Sequence, residues 1–232
     1  MNRYLYLAST SPRRQDILAK LGISFETLSP DVDESRSQSE TPLEYVERLS
    51  VDKAFAGYNL LDEKSLTKSK SYPKQHSKSQ SNVIIGGDVT VEIDGQEFAK
   101  PDNRDHAKEI LMFFSGKTQW VREGYAIVLD GEVFSKGVAS ARLKFKNFDE
   151  KFVDQYLSDT NEWHDKAGAY AIQGEGIRFI DSVEGSYFDI VGLPIFKIAY
   201  DLKLLGFDIP ETTISQIWKE DRAKLAHLLN SI

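Results

Sequence analysis

Two adjacent arginines, two separate lysines, a few carboxylates and one glutamine are the side chains whose settings suggest chemistry. The arginines lie in Ser9-Thr-Ser-Pro-Arg13-Arg14. Ser11 suits a helix N-cap with Pro12 at the first helical position. A helix start exposes unbonded N–H groups and partial positive charge, so two arginines in its first turn oppose the local field. An anion resolves the conflict, because N–H groups and guanidinium forks both bind phosphate oxygens. Surface arginines bridging to acids would explain the same residues without a ligand. Asp31, Asp33 and Glu34 read either as a hard-cation site or as a solvated acidic loop. Asp88 follows an apolar run and two glycines that would let a ligand approach the backbone. A carboxylate at a strand end can hold a divalent metal, take a proton from water, or stabilise a turn. Lys100 is either a point charge for a phosphate or an edge-strand gatekeeper. Gln173 sits in Gly168-Ala-Tyr-Ala-Ile-Gln-Gly-Glu-Gly176, which suits a loop over a flat ligand or a glycine-bulged hairpin; its amide can both donate and accept.

Other chemistry is excluded. The chain has no cysteine, which removes disulfides, thiolate metal sites and cysteine nucleophiles. Its four histidines, His76, His106, His164 and His227, lack metal-binding spacing, and no dinucleotide-binding, Walker A or nucleophile-elbow motif is present. Cations with carboxylates suit a metal-assisted reaction on a phosphate ester, with the cations on oxygens and a carboxylate handling water.

These residues need a scaffold. The chain has 232 residues, 41% hydrophobic and 28% charged, with formal net charge −7. That length suits one large domain or two small lobes. The acidic balance argues against broad nucleic-acid binding, though not against a small anion in a cationic pocket. No run reaches the roughly 18 apolar residues of a membrane span. The N-terminus reads as a first strand and not as a signal peptide, which together with the lack of cysteine suggests a cytoplasmic protein.

Tyr4–Ala8 predicts a buried strand, followed by a helix with the stripe Ile17, Leu18 and Leu21 and a stop at Gly22. Ile23–Leu28 predicts a second strand. Thr41-Pro-Leu-Glu44 is a capping box that opens a helix to about Ala56, stopped by Gly57. Its inward stripe is Leu43, Val46, Leu49 and Ser50. Lys53 falls on that stripe, where a purely structural helix would not place a lysine. Residues 62–82, rich in Ser, Lys and Gln, read as a mobile surface insertion. Val83–Ile85 predicts a strand ending at Gly86-Gly87-Asp88, with Val89–Ile93 extended beyond it and a hairpin turn at Asp94-Gly95. A helix over Asp105–Phe114, two long β segments joined by Asp130-Gly131, and a helix over Phe148–Leu157 follow. Ala169–Gly192 is glycine-rich strand and turn. Helices from Pro194 through Leu205 and over Glu211–Leu229 close the chain.

Read in series, Leu7-Ala-Ser-Thr-Ser-Pro-Arg-Arg14, Pro30-Asp-Val-Asp-Glu34, Tyr45-Val-Glu-Arg-Leu49 with Lys53-Ala54, and Gly86-Gly-Asp88 resemble the Maf family. So do Lys100-Pro101, Ser115-Gly116, Lys166-Ala-Gly-Ala-Tyr-Ala-Ile-Gln-Gly174, Gly185-Ser-Tyr and Val191-Gly-Leu-Pro194. The blocks keep their order over about residues 4–205. The resemblance implies an α/β fold with an elongated mixed twisted sheet, flanking helices and two lobes around a central cleft, similar to the inosine triphosphate pyrophosphatases. Residues 1–210 would form this domain, with the insertion at 62–82, and 211–232 an added helix packing on the core or on a second copy in a homodimer.

The family implies a nucleoside triphosphate pyrophosphatase that yields a monophosphate and pyrophosphate with a divalent cation, Mg²⁺ or Mn²⁺. By position, Asp88 matches the proton acceptor. Ser9, Arg13, Arg14, Lys53 and Lys100 match phosphate-facing positions, and Glu34 with Asp88 the metal. Arg13 and Gln173 match the branch acting on dTTP and UTP. The base edge agrees, since uracil and thymine offer an acceptor at O4 and a donor at N3, which one glutamine amide can meet. The chain departs from the pattern at Val89, a base-specificity position where the branch has Thr, at Gln119 for His, and at Glu123 for Thr. The expected partner is a nucleoside triphosphate, with no nucleic acid and no membrane. Turnover of non-standard purine nucleotides, or nucleotide binding without turnover in cell division, are the alternative readings.

Overall fold

The computed structural model describes residues 2–68, 80–98, 100–164 and 166–230. In chain order they form strand β1 (Asn2–Ala8), helix α1 (Pro12–Ala19), β2 (Glu26–Leu28), α2 (Pro42–Lys68), β3 (Gln80–Ile93), β4 (Gln96–Glu97), α3 (Arg104–Phe114), β5 (Thr118–Leu129), β6 (Glu132–Phe145) and α4 (Glu150–Asp159). Two short 3-10 turns, Ala167–Ala169 and Glu175–Phe179, precede β7 (Ile180–Glu184), α5 (Tyr187–Val191), α6 (Ile195–Leu204) and α7 (Glu211–Asn230). The fold is mixed α/β, as expected. Its seven strands run in the order β2-β1-β3-β5-β6-β7, with β4 on β3. β1 pairs in parallel with β2 and with β3, whereas β4 and β7 pair antiparallel with β3 and β6. Among the described residues no helix is long and apolar enough to cross a membrane.

The chain forms two compact units. The first comprises Met1–Val89, Glu123–Ala139 and Val191–Ile217, the second Thr90–Arg122, Ser140–Ile190 and Trp218–Ile232. The first buries β1 and β3 against α2. Leu7, Ala8, Val46, Leu49, Ala54, Ile84 and Ile85 are all inaccessible to solvent. The second is built on aromatic rings in edge-to-face and tilted contacts, an arrangement that places positive ring edges against negative faces. Phe114 lies 5.1 Å from Phe145, and Phe179 lies 4.8 Å from both Phe148 and Tyr156.

The predicted capping box at the start of α2 is present. Thr41 N donates to Glu44 at 2.8 Å and Glu44 N donates to Thr41 Oγ1 at 3.3 Å. Four local expectations are corrected. α2 does not stop at Gly57 but runs on to Lys68. Gly57 is a contact glycine: a Cβ there would lie 2.9 Å from Ala8 Cβ and 3.1 Å from Ile84 Cγ2. Leu43, expected on the inward stripe, is exposed. β3 does not end at Gly86 but continues unbroken to Ile93, so Asp88 lies within a strand. Of residues 62–82, those to Lys68 extend α2 and those from Gln80 belong to β3, while 69–79 lie outside the described residues.

Two glycines explain how α2 meets the sheet. A Cβ on Gly86 of β3 would sit 2.1 Å from Ser50 O and 2.7 Å from Ala54 N. One on Gly124 of β5 would sit 2.2 Å from Val46 O and 2.6 Å from Ser50 Oγ. Helix backbone and strand backbone therefore touch, with Ser50 turned inward and its hydroxyl donated to Val46 O at 2.6 Å. Gly86→Ala should force α2 off the sheet and cost about 1–3 kcal/mol, the range for overpacking. In a chain of this length the thermal midpoint should fall by about 2–4 °C for each kcal/mol. An unchanged midpoint in a thermal melt would show that the contact has slack.

Candidate functional site

The close seat of α2 decides where Lys53 goes. Lys53 lies three residues beyond Ser50 and four beyond Leu49, beside the buried face of the helix. Its Nζ reaches Asp88 Oδ1 on β3 at 2.6 Å and Glu34 Oε1 at 2.7 Å. Lys53 and Asp88 side chains are only 12% and 13% exposed, whereas Glu34 is open to solvent at 61%. Tyr45 and Arg48 of α2 hold the acidic loop in place. Tyr45 Oη donates to Glu34 O at 2.8 Å, and Arg48 donates to Ser35 O at 3.0 Å. Asp33 ties its own turn together by accepting from Ser35 N at 2.8 Å, and that bond holds its carboxyl below the ordinary value. Of the three clustered acids, Glu34 is the one bound to Lys53.

Asp88 carries opposed influences. Burial pushes its carboxyl up from the ordinary aspartate value and prevails. The Lys53 charge and its hydrogen bond pull the other way, Arg14 adds to that pull more weakly, and Glu34 pushes upward. The result is a carboxylate that is harder to ionise, and therefore more basic, than an exposed aspartate.

A pocket of about 220 Å³ adjoins these groups, lined by Ser9, Thr10, Ser11, Arg14, Glu34 and Lys53 among others. Ser9 Oγ accepts from Ser11 N at 3.2 Å, and Ser11 caps α1 without a side-chain hydrogen bond. The two arginines part company. Arg13 is exposed, and Arg14 is buried with Ile17 and Leu18. Helical spacing accounts for this, because Arg14 precedes Leu18 by four residues and Leu21 by seven, on one face. Arg14 Nε donates to Gly192 O at 2.8 Å, and its Nη2 lies 3.4 Å from Oε1 of the fully buried Glu123. Glu123 is thus a counter-ion that the sequence marked only as an unusual residue. Val89, next to Asp88, is 37% exposed.

The other candidates belong to the second unit. Lys100 is exposed, just after β4. Gln173 is exposed between the 3-10 turns, and its Nε2 donates to Oη of the buried Tyr187. Gln119 is wholly buried and accepts from Tyr170 Oη at 2.6 Å. It thereby anchors the loop at Gly168, where φ is +77° and a Cβ would meet Phe114 at 3.1 Å.

The Maf-like protein family matches residues 4–205. A protein named dTTP/UTP pyrophosphatase from Aliivibrio fischeri is 39% identical over 197 residues, covering 85% of this chain and 95% of its own length. Proteins of the same name from Hydrogenovibrio crunogenus and Pyrococcus abyssi are each 36% identical, covering 85% and 88% of this chain and 94% and 96% of their own. The chain belongs to the Maf family.

The Arg14–Glu123 pair generates a stability prediction. Glu123→Ala strands a guanidinium that is mostly withdrawn from water, and breaking a buried pair costs about 3–5 kcal/mol. Glu123→Gln keeps an acceptor and should lose less than half of that. Urea denaturation would check both, and a loss under about 1 kcal/mol for the alanine variant would mean that Arg14 relaxes into the pocket.

Proposed function

We propose that this Maf-family chain is a nucleoside triphosphate pyrophosphatase acting on dTTP and UTP, cleaving between the α- and β-phosphates. The observation that carries the reading is the Lys53 bridge between Asp88 and Glu34 beside the pocket of Ser9, Ser11 and Arg14. A basic carboxylate next to cations and a helix start is what water attack on a phosphoanhydride requires. The names of the relatives supply the substrate class.

In this reading Arg13, Arg14, Ser9 and the first turn of α1 hold triphosphate oxygens, and Lys53 and Lys100 add charge. Lys53 occupies Asp88 Oδ1, leaving Oδ2 to orient the attacking water and take its proton. Pyrophosphate departs with its negative charge met by the same cations. Gln173 is assigned the O4 and N3–H edge of the base, and a cytosine would leave that amide mismatched. Val89 lacks the hydroxyl of the usual threonine, so the amide carries more of the base choice.

A divalent cation fits the donor chemistry. Glu34 and Asp88 meet at the Lys53 ammonium, and each keeps a second hard carboxylate oxygen beyond the one bonded to Lys53. Mg²⁺ is ordinarily held by one or two carboxylates together with substrate phosphates and water. Mg²⁺ or Mn²⁺ held by Glu34 and Asp88 would supply Lewis-acid polarisation of the phosphoryl oxygens.

Two measurements test this function. The protein with Mg²⁺ or Mn²⁺ should release pyrophosphate and the monophosphate from UTP and dTTP faster than from ITP, XTP or CTP. Asp88→Asn should lower that rate at least about 10²-fold with its thermal midpoint kept, since a general base is worth that much or more. Full turnover by this variant would refute the role. The second is a pH profile. Activity needs ionised Asp88, so the acid limb of kcat/KM follows its pKa. Lys53 lowers that pKa against burial, so Lys53→Met should move the limb to higher pH. A limb that stays in place would detach Lys53 from Asp88.

A further inference from the structure

The family match ends at residue 205, and α7 follows it. One residue of α7, Asp221, is wholly buried although it is a carboxylate. Buried carboxylates survive only where hydrogen bonds satisfy them. Oδ1 of Asp221 accepts from Ser186 Oγ at 2.6 Å and lies 3.4 Å from Phe188 N. Oδ2 accepts from the guanidinium of Arg222, which also donates to Gly185 O at 3.1 Å and lies 4.6 Å over the Trp218 ring. Both carboxylate oxygens are thus committed to one short stretch, Gly185–Phe188, directly or through Arg222. Ser186 Oγ also accepts from Phe188 N at 3.1 Å, which closes the turn.

Tyr187 lies in the middle of that turn. Its ring is buried, with Phe188 at 5.7 Å and the Lys224 ammonium of α7 4.8 Å from its centroid. Its hydroxyl takes the hydrogen bond from Gln173 Nε2. An exposed glutamine amide is otherwise free to rotate by half a turn, exchanging donor for acceptor. The Tyr187 hydroxyl, able to accept or donate, anchors the amide in place, and with Nε2 bonded to it Oε1 is presented as an acceptor.

We infer that Asp221 is a positioning residue for base recognition: by clamping Gly185–Phe188 it fixes Tyr187, and through Tyr187 it holds the Gln173 amide in place. This rests on the proposed role of Gln173. In the orientation seen, with Nε2 on Tyr187, Oε1 suits a base with an N–H at position 3 and would face a lone pair in cytosine, so α7 sharpens the choice of uracil or thymine over cytosine.

The test compares kcat and KM for UTP and CTP in the full-length protein and in Asp221→Ala, Asp221→Asn, Tyr187→Phe and Gln173→Ala, with thermal midpoints recorded. Asp221→Ala should raise KM for UTP and shrink the UTP-to-CTP ratio of kcat/KM by about tenfold, the worth of one hydrogen bond. Its kcat for UTP should stay within about twofold, because the phosphate groups and Asp88 are untouched. Asp221→Asn keeps an oxygen for Ser186 and Phe188 and should restore most of the ratio. Tyr187→Phe should match the alanine variant, and combining the two should add no further loss. If Gln173→Ala leaves the ratio unchanged, the base-reading role itself fails and this inference with it. If Gln173→Ala lowers the ratio and Tyr187→Phe or Asp221→Ala does not, or if Asp221→Ala lowers kcat alone, Asp221 is only a structural brace. Should Asp221→Ala fail to fold, Tyr187→Phe and Asp221→Asn decide the matter by the same ratio.

Discussion

One ammonium group, Lys53 Nζ, draws together two carboxylates that come from separate segments, and it reaches both because helix and sheet meet backbone to backbone. Gly86 and Gly124 leave no side chain between α2 and strands β3 and β5, and Ser50 fills the remaining space with a hydroxyl bonded within its own helix. A helix resting on ordinary side chains would stand farther off and carry Lys53 away from Asp88. Close packing is therefore a condition of the chemistry as well as of stability. The glycines cost conformational entropy in the unfolded chain, and that cost is offset by the position they give the lysine.

The same region balances charge with care. Arg14 and Lys53 are both largely buried, and both are matched by acids, Glu123 for one and Asp88 with Glu34 for the other. Burial raises the cost of an ionised Asp88, and the neighbouring ammonium offsets part of that cost without cancelling it. The carboxylate is left ionisable yet basic, which is the compromise a proton acceptor needs. Arg13, exposed one residue before Arg14, is the more open of the two charges for an incoming anion.

Much of this was legible in the sequence, and the failures share a cause. The capping box at Thr41 and the inward Lys53 followed from local hydrogen-bonding rules and helical periodicity, which depend on few residues. The glycines mislead because the same residue type serves opposite purposes. Gly57 and Gly86 look like stops in a one-dimensional pattern, and only the neighbouring Ala8, Ser50 and Ala54 reveal them as contacts within continuing elements. Leu43 fails as core because the inward stripe takes hold only a turn later, at Val46. The separation of Arg13 from Arg14 was available from the spacing to Leu18 and Leu21. The partner of Arg14 was not, since Glu123 lies 109 positions away in the chain. Asp221, in α7, is likewise visible only once Ser186 and Phe188 are beside it.

The proposed chemistry depends on the state of one carboxyl group. Carbon-13 NMR titration of the Asp88 side chain in the substrate-free protein observes that group directly. Its midpoint should lie above the ordinary aspartate value of 3.8, with burial outweighing the lysine beside it. A midpoint at or below that value would mean that the ammonium prevails, that Asp88 serves as a fixed anion, and that the water is activated elsewhere.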